Sequence, residues 1–279
     1  MAIAEKLRSL GLAPKKRFGQ NFLADAETAR RIAEAATTPP GGTVLEIGAG
    51  LGALTRPLLE RAARVLAVER DRDLVPILRE ELADAIADER LAVLEADAIQ
   101  VDWAAALAAG PPPRVVAGNL PYQITGRLLE QATQVAAQID RAVFMVQLEV
   151  AERLIAAPGT ESYGALSVFA QAAFEVRRLL VSRAGAFYPR PDVDSAVVIL
   201  TPFRPRRAEE TQAFREAVRA AFGARRKTLR NAWKGLYGWT PEELARRAAE
   251  AGISLDARGE TLGVEEFVRI AKGCDGEPR

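Results

Sequence analysis

The chain has 279 residues, 49% of them apolar and 27% charged, with 38 basic against 37 acidic side chains. That length and usage fit one large or two modest folded units and exclude a disordered or fibrous chain. With no histidine and one cysteine, Cys274, there is no material for a Ser-His-Asp triad, a structural zinc centre or an intrachain disulfide, and no metal is expected. No apolar run approaches the ~20 residues that cross a bilayer, and residues 1–16 carry no apolar stretch followed by a small-residue cleavage site. Membrane association and secretion are not expected, and a reducing cytoplasm is the expected location.

Short β-branched and aliphatic runs at 43–47, 64–68, 91–94, 115–117 and 142–146 alternate with stretches at 53–62, 73–85 and 125–137, whose apolar residues recur every three or four positions. This rhythm predicts a parallel sheet with crossover helices. Two later runs, 176–181 and 196–200, are expected at an antiparallel edge, which brings the sheet to about seven strands. Past Pro202-Phe203-Arg204-Pro205 only helical spacing remains, at 211–222, 227–236, 241–251 and 264–272, with Thr240 as N-cap and Pro241 in the first helical position. The expected division is an α/β domain over 1–204, including an N-terminal segment, and a small all-helical domain over 205–279.

Between the first strand and the first crossover lies Glu46-Ile47-Gly48-Ala49-Gly50-Leu51-Gly52, at the sheet edge where open α/β folds bind ligands. The spacing is G-x-G-x-G and not the G-x-G-x-x-G of dinucleotide enzymes, and Glu46 is unusual for a pyrophosphate cradle. The loop therefore fits an adenosyl group better than a diphosphate. Glu69 ends the second strand 21 residues after Gly48, where a carboxylate accepts from ribose hydroxyls. Asp97, after the third strand, is placed to accept from an adenine amine.

After the fourth strand comes Gly118-Asn119-Leu120-Pro121-Tyr122: an amide, a carbonyl fixed by the following proline, and an aromatic face. An exocyclic adenine amine is a poor nucleophile because its lone pair is delocalised into the ring. Acceptors on its hydrogens, here the Asn119 side-chain oxygen and the Leu120 carbonyl, return electron density to nitrogen. Tyr122 stacks on the base and favours the cationic transition state, worth ~1–3 kcal/mol by analogy with base stacking. No strong base or metal is required, in keeping with the missing histidine.

These motifs, with Lys16-Arg17-Phe18-Gly19-Gln20-Asn21-Phe22-Leu23, Glu69-Arg70-Asp71, Phe187-Tyr188-Pro189-Arg190-Pro191-Asp192-Val193-Asp194-Ser195 and Arg225-Arg226-Lys227-Thr228-Leu229-Arg230-Asn231, occur in the order seen in the ribosomal RNA adenine dimethyltransferase family. The sequence resembles the bacterial small-subunit branch over nearly its whole length. The resemblance implies a Rossmann-like methyltransferase domain with a helical C-terminal domain and S-adenosylmethionine as donor. It also implies dimethylation of two adjacent adenosines in the 3′-terminal hairpin loop of small-subunit (16S) rRNA, in an immature subunit, by a protein expected to be a monomer. Carried over, it places Gln20, Asn21, Leu23, Glu46, Gly48, Gly50, Glu69, Asp97 and Asn119 on the cofactor. Asn119, Leu120, Pro121 and Tyr122 fall on the target amine, and Phe187 on the opposite face of the base. Gln123-Ile124-Thr125 stands where the family commonly has Asn-Ile-Ser, and Gly263 where a serine commonly caps the last helix.

Residues 204–234 hold ten basic against three acidic side chains, a local net of +7 that the balanced total hides. Lys15, Lys16 and Arg17, with Arg225, Arg226, Lys227 and Arg230, are expected to flank the cleft and take RNA phosphates. Competing readings are a large-subunit adenine methyltransferase of the antibiotic-resistance type and an RNA-binding assembly factor with dispensable catalysis. A small-molecule methyltransferase or nucleotide-dependent dehydrogenase would leave the basic helical domain unused.

Overall fold

A computed structural model of the chain describes residues 3–224, 226–272 and 274. Among the described residues nine strands occur in chain order: β1 (Phe22–Leu23), β2 (Thr43–Ile47), β3 (Arg64–Glu69), β4 (Leu91–Glu95), β5 (Arg114–Asn119), β6 (Arg141–Gln147), β7 (Phe174–Ser182), β8 (Phe187–Tyr188) and β9 (Ser195–Pro202). Two compact units form. One comprises the residues up to Ala151 with Val176–Pro202; the other comprises Glu152–Glu175 with the residues from Phe203 on.

In the first unit a seven-stranded sheet runs β4-β3-β2-β5-β6-β9-β7. From β4 to β6 the neighbours are parallel, and β9 enters antiparallel to β6. Numbered within the sheet alone, the order is 3-2-1-4-5-7-6, the doubly wound arrangement with one added antiparallel strand. Every residue of β2 is buried, as befits a central strand covered on both faces, which is why its sequence shows an apolar run and not an alternation. The strand order reverses at β2, whose end Ile47 lies in register with both Val68 of β3 and Gly118 of β5. Backbones are tight here: a Cβ on Gly118 would sit 2.5 Å from the Ile47 carbonyl oxygen.

The predicted strands and the antiparallel edge are present. The crossovers are shorter than their spacing suggests, as Thr55–Leu59, Val75–Glu81 with Ala83–Ala87, and Thr125–Gln134. The second is interrupted because Leu82 leaves helical geometry (φ −122°, ψ 27°) while its side chain stays buried. Helices at Ala26–Ala36, Trp103–Ala108, Leu148–Ile155 and Ala165–Ala173 and the small β1–β8 ribbon were not expected from the sequence. The last has only two residues per strand, too few for a period.

In place of the single boundary expected after residue 204, the chain passes between the units three times, at 151/152, 175/176 and 202/203. Tyr163, Val168 and Ala172 share one apolar core with Phe214, Trp233 and Phe267, and the Tyr163 hydroxyl donates to the Leu262 carbonyl at 2.9 Å. A short helical stretch buries too little surface by itself, and Glu152–Glu175 enlarges its core. The helix predicted over 227–236 shrinks to Leu229–Ala232 because Gly235 (φ 77°) and Tyr237 (φ 54°) take left-handed conformations. Gly263 offers no side-chain cap, but its amide donates to Glu266 at 2.9 Å, the backbone half of a capping box. Among the described residues no helix is long and apolar enough to cross a membrane.

Trp233 is fully buried, donates its indole N–H to the Ala217 carbonyl at 2.9 Å and meets Phe267 edge-on at 6.4 Å. Trp233→Ala is expected to destabilise the second unit by about 3–5 kcal/mol in denaturant unfolding. Gly118→Ala, forced against a central backbone carbonyl, is expected to cost about 1–3 kcal/mol and to lower the melting temperature measurably.

Candidate functional site

In the first unit, the carboxyl ends of β2, β3 and β5 and the turn after β4 open onto a cleft. Its floor is the glycine turn. Gly48 (φ 75°) and Gly50 (φ 58°) line the cleft in the left-handed region, and the amides of Gly48 and Ala49 both donate to the Val68 carbonyl, at 2.9 and 3.1 Å. Gly52 (φ 80°) serves packing instead: a Cβ there would press within 2.9 Å of Leu78.

Glu69 is 7% exposed and lines the cleft. One carboxylate oxygen accepts the Gly50 amide at 2.7 Å and the other the Asp71 amide at 2.8 Å. Burial pushes its pKa up, and these backbone bonds oppose the shift. Each oxygen retains acceptor capacity for a hydroxyl. Glu46 does not line the cleft. It lies under the turn, 1% exposed, accepting from the Thr55 hydroxyl at 2.7 Å; burial, with the Glu69 charge adding to it, pushes its pKa up to about 8. It supports the floor and is not positioned to touch a ligand, because a central strand residue facing the crossover helix is covered by that helix. Asp97 lines the far wall; it accepts the Ile99 amide at 3.1 Å and pairs with Arg70 at 3.3 Å.

The N-terminal segment forms another wall. Lys16–Phe18 is a 3-10 turn closed by Gly19 in the left-handed region. Phe18, Gln20 and Asn21 line the cleft, with the guanidinium groups of Arg17 and Arg70 over the Phe18 ring at 4.8 and 5.3 Å. Leu23, predicted on the cofactor, is buried instead in the core beneath, paired with Phe187 across the β1–β8 ribbon.

Asn119 ends β5 on the opposite wall. Its amide nitrogen donates to the Asn21 carbonyl at 2.8 Å, leaving its Oδ1 as an acceptor. Leu120 is anchored by its amide to the Met145 carbonyl at 3.0 Å, and the Pro121 carbonyl takes the Thr125 hydroxyl at 2.9 Å. Gln123, the departure from the common pattern, donates to the Lys16 carbonyl at 3.2 Å, so the tetrad is tied to the N-terminal segment. The Tyr122 hydroxyl shares a 2.9 Å hydrogen bond with Ser195, and burial pushes the phenol pKa up, so the ring is held neutral.

Phe187, expected opposite Tyr122, is not among the residues that line the cleft. It is 4% exposed and packs in the core, whereas its neighbour Tyr188 is 37% exposed. Successive strand residues point to opposite faces, and registry of Phe187 with Leu23 sends the wholly apolar ring inward. Phe18, Arg70, Asp71 and Ser195 were not assigned roles from the sequence; Arg70 and Asp71 directly follow the predicted Glu69, and Ser195 closes the Phe187 motif.

The basic residues divide. Lys15 spends its charge internally, on Asp71 and Asp73 at 2.5 Å each, and is not an open phosphate ligand. Lys16 and Arg17 are exposed. In the second unit Arg226, Lys227 and Lys234 are exposed and form no ion pair among the described residues, while Arg230 makes a surface pair with Asp256 at 3.0 Å. Arg225 lies outside the described residues.

The sequence model of the family described as ribosomal RNA adenine dimethylase matches residues 11–275. A ribosomal RNA small subunit methyltransferase A from Anaeromyxobacter sp. (strain K) is 45% identical, covering 94% of this chain and 93% of its own, and one from Moorella thermoacetica is 44% identical, covering 95% and 94%. Among solved structures, the 23S rRNA methyltransferase ErmE superposes with a TM-score of 0.65 at 28% identity, over 90% of this chain and 98% of its own. A dimethyladenosine transferase from Plasmodium falciparum gives 0.70 at 22% identity over 87% and 94%, a likeness of fold. Fold, motif order and whole-chain similarity agree: the chain belongs to the ribosomal RNA adenine dimethylase family.

Proposed function

We propose that the protein transfers methyl groups from S-adenosylmethionine to N6 of two adjacent adenosines in the 3′-terminal hairpin loop of small-subunit rRNA, within an immature subunit. The observation that carries this reading is Asn119, whose amide nitrogen is fixed on the Asn21 carbonyl so that its oxygen stands as an acceptor beside the glycine turn. The donor set suits an adenosyl cofactor: a side-chain-free turn at Gly48 and Gly50, a buried carboxylate at Glu69 for the ribose hydroxyls, Asp97 for the adenine amine, and Gln20 and Asn21 from the N-terminal segment. When bound, S-adenosylmethionine supplies an electrophilic sulfonium methyl.

The chain's own groups orient and activate the amine. Asn119 Oδ1 and the Leu120 carbonyl accept its two hydrogens, which pulls the nitrogen out of conjugation and directs its lone pair away from them. The Tyr122 ring, fixed by Ser195, stabilises developing positive charge. The nitrogen becomes strongly acidic only once it carries the new methyl, so its proton leaves without a general base. A loop adenosine costs less to extrude than a paired one, which suits a site with one stacking ring in the tetrad. Arg226, Lys227 and Lys234 take phosphates of the substrate RNA.

Purified protein and labelled donor, with small subunits lacking the modification and, in a parallel reaction, large subunits, test the reading: incorporation should approach about four methyl groups per small subunit, and labelling of large-subunit RNA instead would reject it. Asn119→Ala is expected to lower the rate by about 10²–10³-fold while RNA affinity stays within about tenfold. Loss of RNA affinity with activity retained would overturn this assignment of Asn119. Changing Arg226, Lys227 and Lys234 together to alanine should flatten the plot of log affinity against log salt by roughly 0.7–0.9 per lost contact and leave S-adenosylhomocysteine binding unchanged.

A further inference from the structure

Asp71 is 2% exposed, yet neither it nor Lys15 lines the cleft. Their bonds nonetheless organise everything the N-terminal segment presents there. Asp71 accepts the Lys15 ammonium on one oxygen and the Gln20 side-chain amide, at 2.7 Å, on the other. Gln20 in turn accepts the Lys15 backbone amide at 2.7 Å, which closes a ring of three side chains around the 15–20 turn. The next residue, Asn21, holds Asn119 through its carbonyl. On the other side, Asp71 donates its own amide to Glu69. Asp71 therefore joins Glu69, through its backbone amide, to the segment that holds Asn119, through its carboxylate.

Resting on the reading of the cleft as an adenosyl site, we infer that Lys15 and Asp71 are positioning residues: their ion pair holds the 15–21 segment against the end of β3, and so sets donor affinity and the orientation of Asn119. A phosphate-binding role for Lys15 conflicts with its surroundings. Two carboxylates lie at 2.5 Å from its ammonium, so the local group carries net negative charge, and an approaching phosphate meets repulsion. Burial works to raise the Asp71 pKa, but the bonds from Lys15, Gln20 and the Asp73 amide prevail and hold it below the usual aspartate range. The pair is thus fully charged at neutral pH.

The test uses the full-length protein with S-adenosylhomocysteine in calorimetry and with unmodified small-subunit RNA over a salt series. Lys15→Met is expected to weaken S-adenosylhomocysteine binding roughly fivefold to tenfold, the scale of one charge-assisted bond, with RNA affinity and its salt slope unchanged. Lys15→Arg should restore donor binding to within about twofold, because charge and reach are kept. Asp71→Asn should weaken binding similarly, and the double variant should be no weaker than Asp71→Asn alone, since both break one pair. In turnover, Lys15→Met should raise the KM for donor and lower kcat together, a joint change that simple loss of folded protein does not produce. A salt slope reduced by about 0.7 with donor affinity intact would assign Lys15 to RNA and overturn the inference. So would multiplicative losses in the double variant. Wild-type protein that binds no S-adenosylhomocysteine would overturn the adenosyl reading itself, whereas wild-type binding that Lys15→Met leaves unchanged would overturn only the clasp.

Discussion

Two loops from different strands meet on one buried carboxylate. Glu69 takes the Gly50 amide with one oxygen and the Asp71 amide with the other, pinning the glycine turn after β2 to the acidic loop after β3. Parallel strands present their carboxyl ends side by side, but nothing in a sheet ladder fixes the loops beyond. The carboxylate supplies that constraint. From it follow the backbone floor of the cleft, the placement of Asp71 to receive Lys15 and Gln20, and through Asn21 the orientation of Asn119.

The electrostatic character of the cleft matches amine alkylation. Its walls carry acceptors and acids, Glu69 and Asp97 from strand ends and Asn119 from the tetrad, and the nearby cations Arg17 and Arg70 are engaged with the Phe18 face. Such a site lowers the energy of a nitrogen that is gaining positive charge, the reverse of an oxyanion hole, which aims donors at developing negative charge. Glu46, held largely protonated by burial, adds little negative charge and serves the turn above it through Thr55. On the proposed reading, preorganised acceptors activate the amine without a histidine base, a residue type the chain does not contain.

Each unit has its own core, and the second is assembled from two separated stretches of chain. Trp233 and Phe267 pack edge to face within it, while Arg226, Lys227 and Lys234 stay at the surface without ion pairs among the described residues. The contrast with Lys15, whose charge two carboxylates absorb, shows that a basic residue in a run is not by itself an open ligand for phosphate.

Much of the site was legible from residue order. The five parallel strands, the glycine turn, Glu69, Asp97 and the Asn119–Tyr122 tetrad all sit at strand ends, where alternation of apolar runs and helical spacing marks position without any coordinates. What sequence could not decide was which neighbour a side chain meets. Phe187 and Tyr188 are equally aromatic, and only antiparallel pairing with Leu23 and Phe22 turned the first inward and the second out. Lys15 carries the same charge as Lys16, yet proximity to Asp71 and Asp73, more than fifty residues away in the chain, made one an internal partner and left the other exposed. Likewise residues 152–175 joined the C-terminal core because of apolar faces complementary in space. Local pattern determines element type and strand-end chemistry, since both depend on near neighbours. Facing, ion pairing and domain membership depend on contacts between distant segments, which exist only once the chain has closed upon itself.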